Sequence, residues 1–252
     1  MNLRWCILTS PRSGSTLLEE NIYRMIYSAG TKDSPAIRLG EYLNYSELHY
    51  YDSNKLRWVK SEKLNSPSRI EAMKSIEEKI ANSNCPIVMR IFPQPWYKNY
   101  LNIEDFLTKL KNNNFNFLYL HRNLKDRLIS LCVAKEVNIY HRKKNVNNEI
   151  LFDRDPENTN SKFISPNEKI SLDFDLVARN YLELKVNDFI LNNHIKKFHG
   201  NIINYENFYE DCAKANISAS SNISTLPTYD YDYKDLISNY EEVIELIDFL
   251  NH

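Results

Sequence analysis

The chain has 252 residues, of which 42% are hydrophobic and 26% charged, and this composition is typical of a soluble globular protein with one sizeable core. Its formal net charge of −1 excludes a general attraction to nucleic acid or to a membrane surface, so any anion site must be local. No apolar run reaches the ~20 residues of a membrane-spanning helix, and no secretory signal is visible. We therefore expect a cytoplasmic protein without stable membrane insertion, folded as a single domain over residues 1–252.

The first elements along the chain are a strand, a loop of small residues and a helix. An apolar run over residues 3–8 predicts a buried strand, which the turn signal Ser10-Pro11 ends. An amphipathic helix then extends to about Ser28. This arrangement points backbone N–H groups and a helix N-terminus at an anion.

The loop itself reads Pro11-Arg-Ser-Gly-Ser-Thr16. Gly14 lets the backbone approach a ligand closely, Ser15 and Thr16 offer hydroxyl groups, and Arg12 adds a permanent charge. Compared with the P-loop G-x-x-x-x-G-K-[ST], Thr9 replaces the first glycine and Ser15 the lysine, which argues against ordinary ATP or GTP hydrolysis. The loop alone is also compatible with a helix capped by Ser13 or Ser15 that binds no ligand.

The four cysteines, Cys6, Cys85, Cys132 and Cys212, are irregularly spaced, and no cysteine–histidine cluster is present. This spacing predicts neither a zinc site nor a disulfide framework. We expect Cys6, in a strand, and Cys132, on a helix, to be small buried hydrophobic residues.

Strands and helices alternate along the remaining chain. The pattern predicts strands over 36–39, 86–92, 115–120 and 201–205, and helices over 68–81, 103–110, 123–137, 173–197 and 236–250. This alternation predicts an α/β fold with a single parallel sheet of about five strands, flanked by helices on both faces. Residues 52–67 and 139–170 show no periodicity, and the second segment is long enough for a lid or an acceptor-side insertion.

The long helix over 173–197 carries several apolar residues. The expected core positions are Leu176, Val177, Leu182, Leu184, Val186, Phe189 and Ile190.

Ligands of parallel sheets bind beyond the carboxyl ends of the strands. This rule places the first loop on a common rim with Gly40-Glu41, residues 90–95, His121-Arg122 and Tyr205-Glu206. The rim therefore combines several charged side chains with the predicted anion site.

A second motif begins just after the strand over 115–120, where Arg122 is followed eight residues later by Ser130 on the next helix. Taken alone, Arg122 is better explained by a surface pair with Asp126 at i,i+4 spacing, worth ~0.3–0.5 kcal/mol. The significance of Arg122 therefore depends on the first loop.

Together the two motifs resemble the sulfotransferase family that uses 3′-phosphoadenosine 5′-phosphosulfate (PAPS). Its members carry a P-[KR]-[ST]-G-[ST]-[ST] loop after the first strand and an arginine followed eight residues later by a serine after a central strand. The run Arg12-Ser-Gly-Ser-Thr-Leu-Leu18 looks most like the bacterial branch with trehalose and other carbohydrate sulfotransferases. The resemblance implies a P-loop NTPase-like sulfotransferase fold.

The resemblance also implies the ligands and their residues. The cofactor is PAPS, the product is 3′-phosphoadenosine 5′-phosphate (PAP), and no metal is needed. Ser13, Gly14, Ser15 and Thr16 would hold the 5′-phosphosulfate, while Arg12 would stabilise the leaving phosphate.

In the same resemblance, Arg122 and Ser130 would bind the 3′-phosphate. Arginine suits this role because its planar guanidinium forms two parallel hydrogen bonds. Ile203-Asn-Tyr-Glu-Asn207 is similar to the strand end that helps hold the adenine in the family, which assigns Tyr205 to cofactor binding.

A hydroxyl acceptor also needs a general base. Many family members use a histidine that Arg90-Ile-Phe-Pro-Gln94 lacks, whereas the bacterial carbohydrate branch uses a glutamate in a G-E-P-x-E-like segment. Gly40-Glu-Tyr-Leu-Asn44 resembles that segment but departs from it at two positions, so Glu41 is our candidate base. Glu47 and His49 are the alternatives, and Glu41 could instead bind only the acceptor.

We therefore expect transfer of a sulfuryl group to a hydroxyl of a small-molecule or glycan acceptor, with no nucleic-acid partner. One competing hypothesis is a P-loop-type kinase, which the missing loop lysine disfavours. Another is a catalytically silent homologue that binds PAPS or PAP. The sequence leaves the oligomeric state open, a homodimer included.

Overall fold

A computed structural model describes residues 3–27, 29–30, 36–41, 49–52, 57–60, 85–92, 103–137, 142–144, 150–152, 169–217 and 233–252. For residues 41, 49–52, 57–60, 137, 142–144 and 150–152 the description covers the backbone only. The chain divides into two compact units, Met1–Arg122 with Asn187–Ser220, and Asn123–Val186 with Ser221–His252. That residues 1–252 form one domain remains a prediction.

Apart from four short strands over 49–52, 57–60, 142–144 and 150–152, the longer described elements follow the alternation that the sequence predicts. The strands are β1 (Arg4–Thr9), β2 (Ile37–Glu41), β3 (His49–Asp52), β4 (Arg57–Lys60), β5 (Ile87–Ile91), β6 (Asn116–His121), β7 (Arg142–Lys144), β8 (Ile150–Phe152) and β9 (Asn201–Asn204). The helices are α1 (Ser15–Tyr27), α2 (Ile103–Asn112), α3 (Leu124–Val137), α4 (Phe174–Phe198), α5 (Phe208–Lys214), α6 (Tyr233–Leu236) and α7 (Tyr240–Asn251), with a 3₁₀ turn at Tyr205–Asn207.

The first unit is built on a five-stranded parallel sheet in the order β2-β5-β1-β6-β9. Because side chains alternate along the central strand, Trp5 and Ile7 face one apolar cluster whereas Cys6 and Leu8 face another. The first cluster includes α1 and α5, and the second includes α2 and the C-terminal part of α4. The predicted α/β fold with a helix-flanked parallel sheet is confirmed.

The second unit is helical around its own apolar cluster. Residues of α3, the N-terminal part of α4 and α7 form this cluster, among them Leu128, Cys132, Val177, Leu184 and Val243. Both long helices begin with a side-chain cap: Asn123 Oδ1 accepts the Lys125 N–H at 2.8 Å, and Asp173 Oδ1 accepts the Leu176 N–H at 2.8 Å. The helix starts expected at these two positions are confirmed.

The two segments without periodicity contain short strands that the sequence analysis missed. Strand β4 lies within residues 52–67 and pairs antiparallel with β3, and β7 and β8 form an antiparallel pair within residues 139–170. Strands of three or four residues show too few alternations to be recognised, since the pairing with a neighbour defines them. The helix expected over 68–81 lies outside the described residues.

The expected core of the long helix is partly wrong. Leu182, Val186 and Phe189 are 60%, 45% and 68% exposed, whereas Val177 and Leu184 are buried. The buried face is completed by side chains that a hydrophobic pattern does not select, namely Asn180, Tyr181, Asn187 and His194. For Asn180 the physical reason is a set of polar contacts, because its Oδ1 accepts from Lys135 Nζ at 2.5 Å and its Nδ2 donates to Cys132 Sγ at 3.4 Å.

All four cysteines are free, and Cys6 and Cys132 are buried, as expected. Loss of solvent raises the pKa of both thiols, which keeps them protonated and unreactive. In the part of the chain that the structure describes, no helix has the length and apolar character needed to cross a bilayer.

Candidate active site

The loop between β1 and α1 contains two residues with left-handed backbone geometry. Arg12 has a φ of 64° and Gly14 a φ of 83°. For a residue with a Cβ this conformation costs roughly 1–2 kcal/mol, and residues of this kind occur in turns and cluster at ligand sites. Helix α1 begins directly after Gly14, whose carbonyl accepts the Leu17 N–H at 3.0 Å. The N–H groups of Ser15 and Thr16 precede this first intrahelical hydrogen bond, which gives the loop the backbone of an anion cradle.

Side chains at the base of the loop hold its shape. The buried Ser13 hydroxyl donates to the Ser10 carbonyl at 2.7 Å. Thr9 Oγ1 donates to the Leu120 carbonyl at 3.3 Å, which ties the loop to β6. The Ser13 side chain is therefore committed to the loop itself, and its backbone N–H is the group left for the predicted 5′-phosphate contact.

Two residues from other strand ends contact this loop. The Tyr205 ring, just after β9, lies so close to Gly14 that a Cβ there would be 2.5 Å from Cδ2 and still nearer to Cε2. Arg122, just after β6, places its Cζ 4.6 Å from the centre of the same ring and donates from Nη1 to the Arg12 carbonyl at 3.2 Å. The structure therefore brings the predicted residues Arg12, Gly14, Arg122 and Tyr205 together.

The Arg122 guanidinium retains an unused hydrogen-bond donor. Its Nε is buried and has no acceptor among the residues that the structure describes. A buried donor without an acceptor costs free energy, and a charged one is satisfied best by an anion. The position of Arg122 thus fits a phosphate group at the edge of the loop.

Ser130, the second residue of the predicted 3′-phosphate pair, lies in the second unit on α3 and is 2% exposed. Its assignment to the 3′-phosphate remains a prediction.

Arg90, near the end of β5, also contacts the loop, although no role for it was predicted from the sequence. Its Nη1 donates to Thr16 Oγ1 at 2.8 Å and to Ser15 Oγ at 3.3 Å. Its Nε lies 3.0 Å from Oε2 of Glu19, one turn into α1. The available signal was an arginine inside the otherwise apolar run Ile87-Val-Met-Arg-Ile-Phe92, on the expected rim.

Glu19 is fully buried and lies between two arginines. The same Oε2 that contacts Arg90 is 3.3 Å from Nη2 of Arg38, on β2. Arg38 also pairs with Glu20. These residues form a network of charged groups beneath the loop.

A bulge in β2 sets the position of Glu41. Arg38 pairs in register with Val88, and three residues later Glu41 pairs with Arg90, so β2 contains one extra residue between these pairs. Gly40, within the bulge, has a φ of 64°. The bulge brings the backbone of Glu41 level with Arg90 at the carboxyl edge of the sheet. Of the alternative bases, Glu47 lies outside the described residues and His49 is the first residue of β3.

The turn that leads to Tyr205 is held by a carboxylate. Oδ2 of Asp211, on α5, accepts hydrogen bonds from both the backbone N–H and Nδ2 of Asn204, each at 2.9 Å. These bonds, with a smaller contribution from Lys214, hold the pKa of Asp211 below its ordinary value. Asp211 thereby fixes the chain immediately before Tyr205.

Residues 4–252 match the family model of the sulfotransferase domain. The chain belongs to the sulfotransferase family. This match confirms the family resemblance, and it shows that the general chemistry is sulfuryl transfer. A search of the curated proteins found no match to the chain. Among the described residues of this sulfotransferase, no group of three or more His, Cys, Asp and Glu side chains is placed to hold a metal ion.

Proposed function

We propose that this sulfotransferase uses PAPS as its sulfuryl donor and transfers the group to a hydroxyl of a carbohydrate or related small molecule. The observation that carries the proposal is the placement of Arg122 beside the loop, with a buried Nε that lacks an acceptor among the described residues. The loop is suited to bind one phosphate, and the adjacent Arg122 is suited to bind a second phosphate. This arrangement matches a nucleotide with phosphates at both the 5′ and 3′ positions. The match to the sulfotransferase family supports the same donor, since the family generally uses PAPS.

The residues of the site have separate tasks in this proposal. The donor supplies a sulfuryl group carried on its 5′-phosphate. The N–H groups of residues 13–16 and the N-terminus of α1 bind that phosphate, and the Arg12 guanidinium stabilises the negative charge that develops on it as its bond to sulfur breaks. Arg122 and Ser130 bind the 3′-phosphate, and Tyr205 lies against Arg122 and helps hold the adenine end.

Glu41 is the proposed general base. Its carboxylate takes the proton of the acceptor hydroxyl, while the hydroxyl oxygen forms a new bond to sulfur and PAP leaves with the electron pair of the broken bond. Support comes from the backbone, because the bulge in β2 pairs Glu41 with Arg90, whose side chain contacts the loop hydroxyls. The Glu41 backbone is thus level with an arginine that reaches the loop.

Thermal unfolding tests the sulfuryl donor. PAP at about 100 times its Kd stabilises the folded state by about 2.7 kcal/mol, which raises the melting temperature of a chain of this length by about 5–10 °C. ATP with magnesium is expected to have a much smaller effect, because the loop lacks the lysine that contacts the β- and γ-phosphates. Equal stabilisation by the two nucleotides would contradict the proposed donor.

Turnover of a Glu41→Gln variant tests the base. The variant should retain PAP binding and lose about 10²–10⁴-fold in transfer rate, measured as PAP formed from PAPS in the presence of a glycan acceptor. Glu47→Gln and His49→Gln are the matched controls and should retain turnover. Unchanged turnover in Glu41→Gln, together with loss in one control, would assign the base to that control residue.

The acceptor class is tested with the wild-type protein. Neutral mono- and disaccharides and a simple phenol are offered side by side with PAPS. We expect sulfation of a sugar hydroxyl; transfer to the phenol alone would contradict a carbohydrate acceptor. PAP binding without transfer to any acceptor would favour the silent homologue.

A further inference from the structure

We propose that Arg90, with its charge held by Glu19, is a positioning residue that directs the hydroxyl hydrogens of Ser15 and Thr16 toward the sulfated phosphate of the donor. Arg90 bridges these hydroxyls and the buried carboxylate. This inference rests on the proposed function, since it takes PAPS as the ligand of the loop.

The hydrogen-bonding capacity of the Ser15 and Thr16 hydroxyl groups determines what they can contact. Each hydroxyl has one hydrogen and two lone pairs, whereas a guanidinium only donates. Thr16 Oγ1 accepts from Arg90 at 2.8 Å and Ser15 Oγ accepts at 3.3 Å. Neither hydroxyl can return its hydrogen to Arg90, so each hydrogen is available to another acceptor. The anion cradle formed by the neighbouring backbone N–H groups is the adjacent place for that acceptor.

Arg90 acts through these hydroxyls because its guanidinium already contacts groups of the protein itself, although its Nε lies beside Glu19 as an ion pair without hydrogen-bond geometry. Its Nη1 donates to the two hydroxyls, and its Nε lies 3.0 Å from Glu19 Oε2. The side chain is 14% exposed, so it is largely enclosed by these partners. Arg90 therefore links the end of β5 to the first two turns of α1.

Glu19 supplies the counter-charge that keeps Arg90 in place. A guanidinium with little access to water is costly unless an anion accompanies it, and Glu19 is fully buried between Arg90 and Arg38. The adjacent carboxylate differs: the contacts of Glu20 are with Arg24 and Arg38. Glu19 and Glu20 can therefore be compared directly as neighbouring carboxylates, because Glu19 contacts Arg90 and Glu20 contacts other arginines.

A double-mutant cycle measured by PAP affinity tests the inference. Arg90→Lys keeps the charge, but one ammonium cannot reach both Glu19 and the hydroxyls. It should weaken PAP binding about tenfold in the wild-type background and less than twofold in a Ser15→Ala/Thr16→Val background. An equal loss in both backgrounds would overturn the inference, because Arg90 would then act independently of the hydroxyls.

The two carboxylates provide the second comparison. Glu19→Gln should weaken PAP binding by a factor similar to that of Arg90→Lys, whereas Glu20→Gln should change it less than twofold. Equal losses of PAP affinity in both variants would overturn the role of Glu19. If Glu19→Gln fails to fold, the double-mutant cycle with Arg90→Lys alone tests the inference.

Wild-type binding separates the two proposals. Absence of PAP binding by the wild-type protein would contradict the proposed donor and, with it, this inference. PAP binding by the wild type with equal losses in the cycle would overturn the inference alone.

Discussion

Arg90 and Arg122 approach the same loop from the two neighbours of β1, yet their surroundings differ. Arg122 follows β6 and contacts neutral groups, the Arg12 carbonyl and the Tyr205 ring, while its Nε remains without an acceptor among the described residues. Arg90 lies on β5, and although its Nε also lacks a hydrogen bond, that atom forms an ion pair with the buried Glu19 carboxylate at 3.0 Å. An arginine that contacts neutral groups keeps its charge for a ligand, whereas an arginine paired within the protein orients its neighbours. This difference supports the proposals that Arg122 binds a ligand and that Arg90 positions the loop hydroxyls.

The largest expected effect that tests this difference is in Arg122→Ala. A hydrogen bond to a charged group is worth roughly 1.5–3 kcal/mol, so PAP affinity should fall about tenfold to a hundredfold or more. The affinity for adenosine 5′-phosphate should change little, because it lacks the 3′-phosphate. Titration calorimetry with both nucleotides measures the ratio of the PAP affinity to the adenosine 5′-phosphate affinity.

Arg90→Lys is the matched control for that experiment. Because Arg90 is proposed to act at the 5′ end, this variant should weaken the binding of both nucleotides by the same factor. The ratio of the two affinities should therefore stay at the wild-type value. If Arg122→Ala also leaves the ratio unchanged, Arg122 does not bind the 3′-phosphate.

A smaller effect is expected at Tyr205, which supports Arg122. Tyr205→Phe keeps a ring beneath the guanidinium and should bind PAP as the wild type does. Tyr205→Leu removes a cation–π contact worth about 0.5–2 kcal/mol, so PAP binding should weaken about twofold to thirtyfold. Binding of adenosine 5′-phosphate by the leucine variant distinguishes the two roles of the ring. An equal loss for both nucleotides would show that Tyr205 acts on the adenosine rather than through Arg122.

The smallest effect is expected at Asp211, which fixes the turn before Tyr205. Since the pKa of Asp211 is lowered in the folded state, the unfolded chain binds its proton first as the pH falls. The stabilisation is therefore complete above the unfolded pKa of about 3.9 and disappears as the pH drops through the lower folded value. Urea unfolding of the wild type and Asp211→Asn should show a difference at pH 7 that shrinks in acid.

Glu210→Gln is the control for the Asp211 experiment, since Glu210 also pairs with Lys214 but lies on the exposed side of α5. A difference between wild type and Asp211→Asn that stays constant between pH 7 and pH 2 would contradict the role of the Asp211 carboxylate.

The sequence was sufficient to predict the part of the fold that the loop organises. The apolar run of β1, the turn at Ser10-Pro11 and the glycine in the loop are local signals, and the structure confirms β1 and α1 within one or two residues of the expected ends. The common rim also followed, because the carboxyl ends of parallel strands share one edge.

Contacts between distant residues were not predictable. Arg90 and Glu19 are 71 positions apart in the sequence, and neither position shows that a carboxylate on α1 is buried against β5. On α4, Leu182 and Phe189 look like core residues, yet the helix buries Asn180 because its amide finds polar partners on another helix. Hydrophobic patterning cannot identify a buried polar residue whose partner comes from elsewhere in the fold.

A crystal structure of the protein with PAP would show directly which residues bind each phosphate. We predict the 3′-phosphate within hydrogen-bonding distance of Arg122 Nε, the 5′-phosphate on the N–H groups of residues 13–16, and Arg90 still bound to Thr16 and Glu19. A 3′-phosphate placed away from Arg122, or a 5′-phosphate bound directly by Arg90 with its contact to Thr16 broken, would contradict the account.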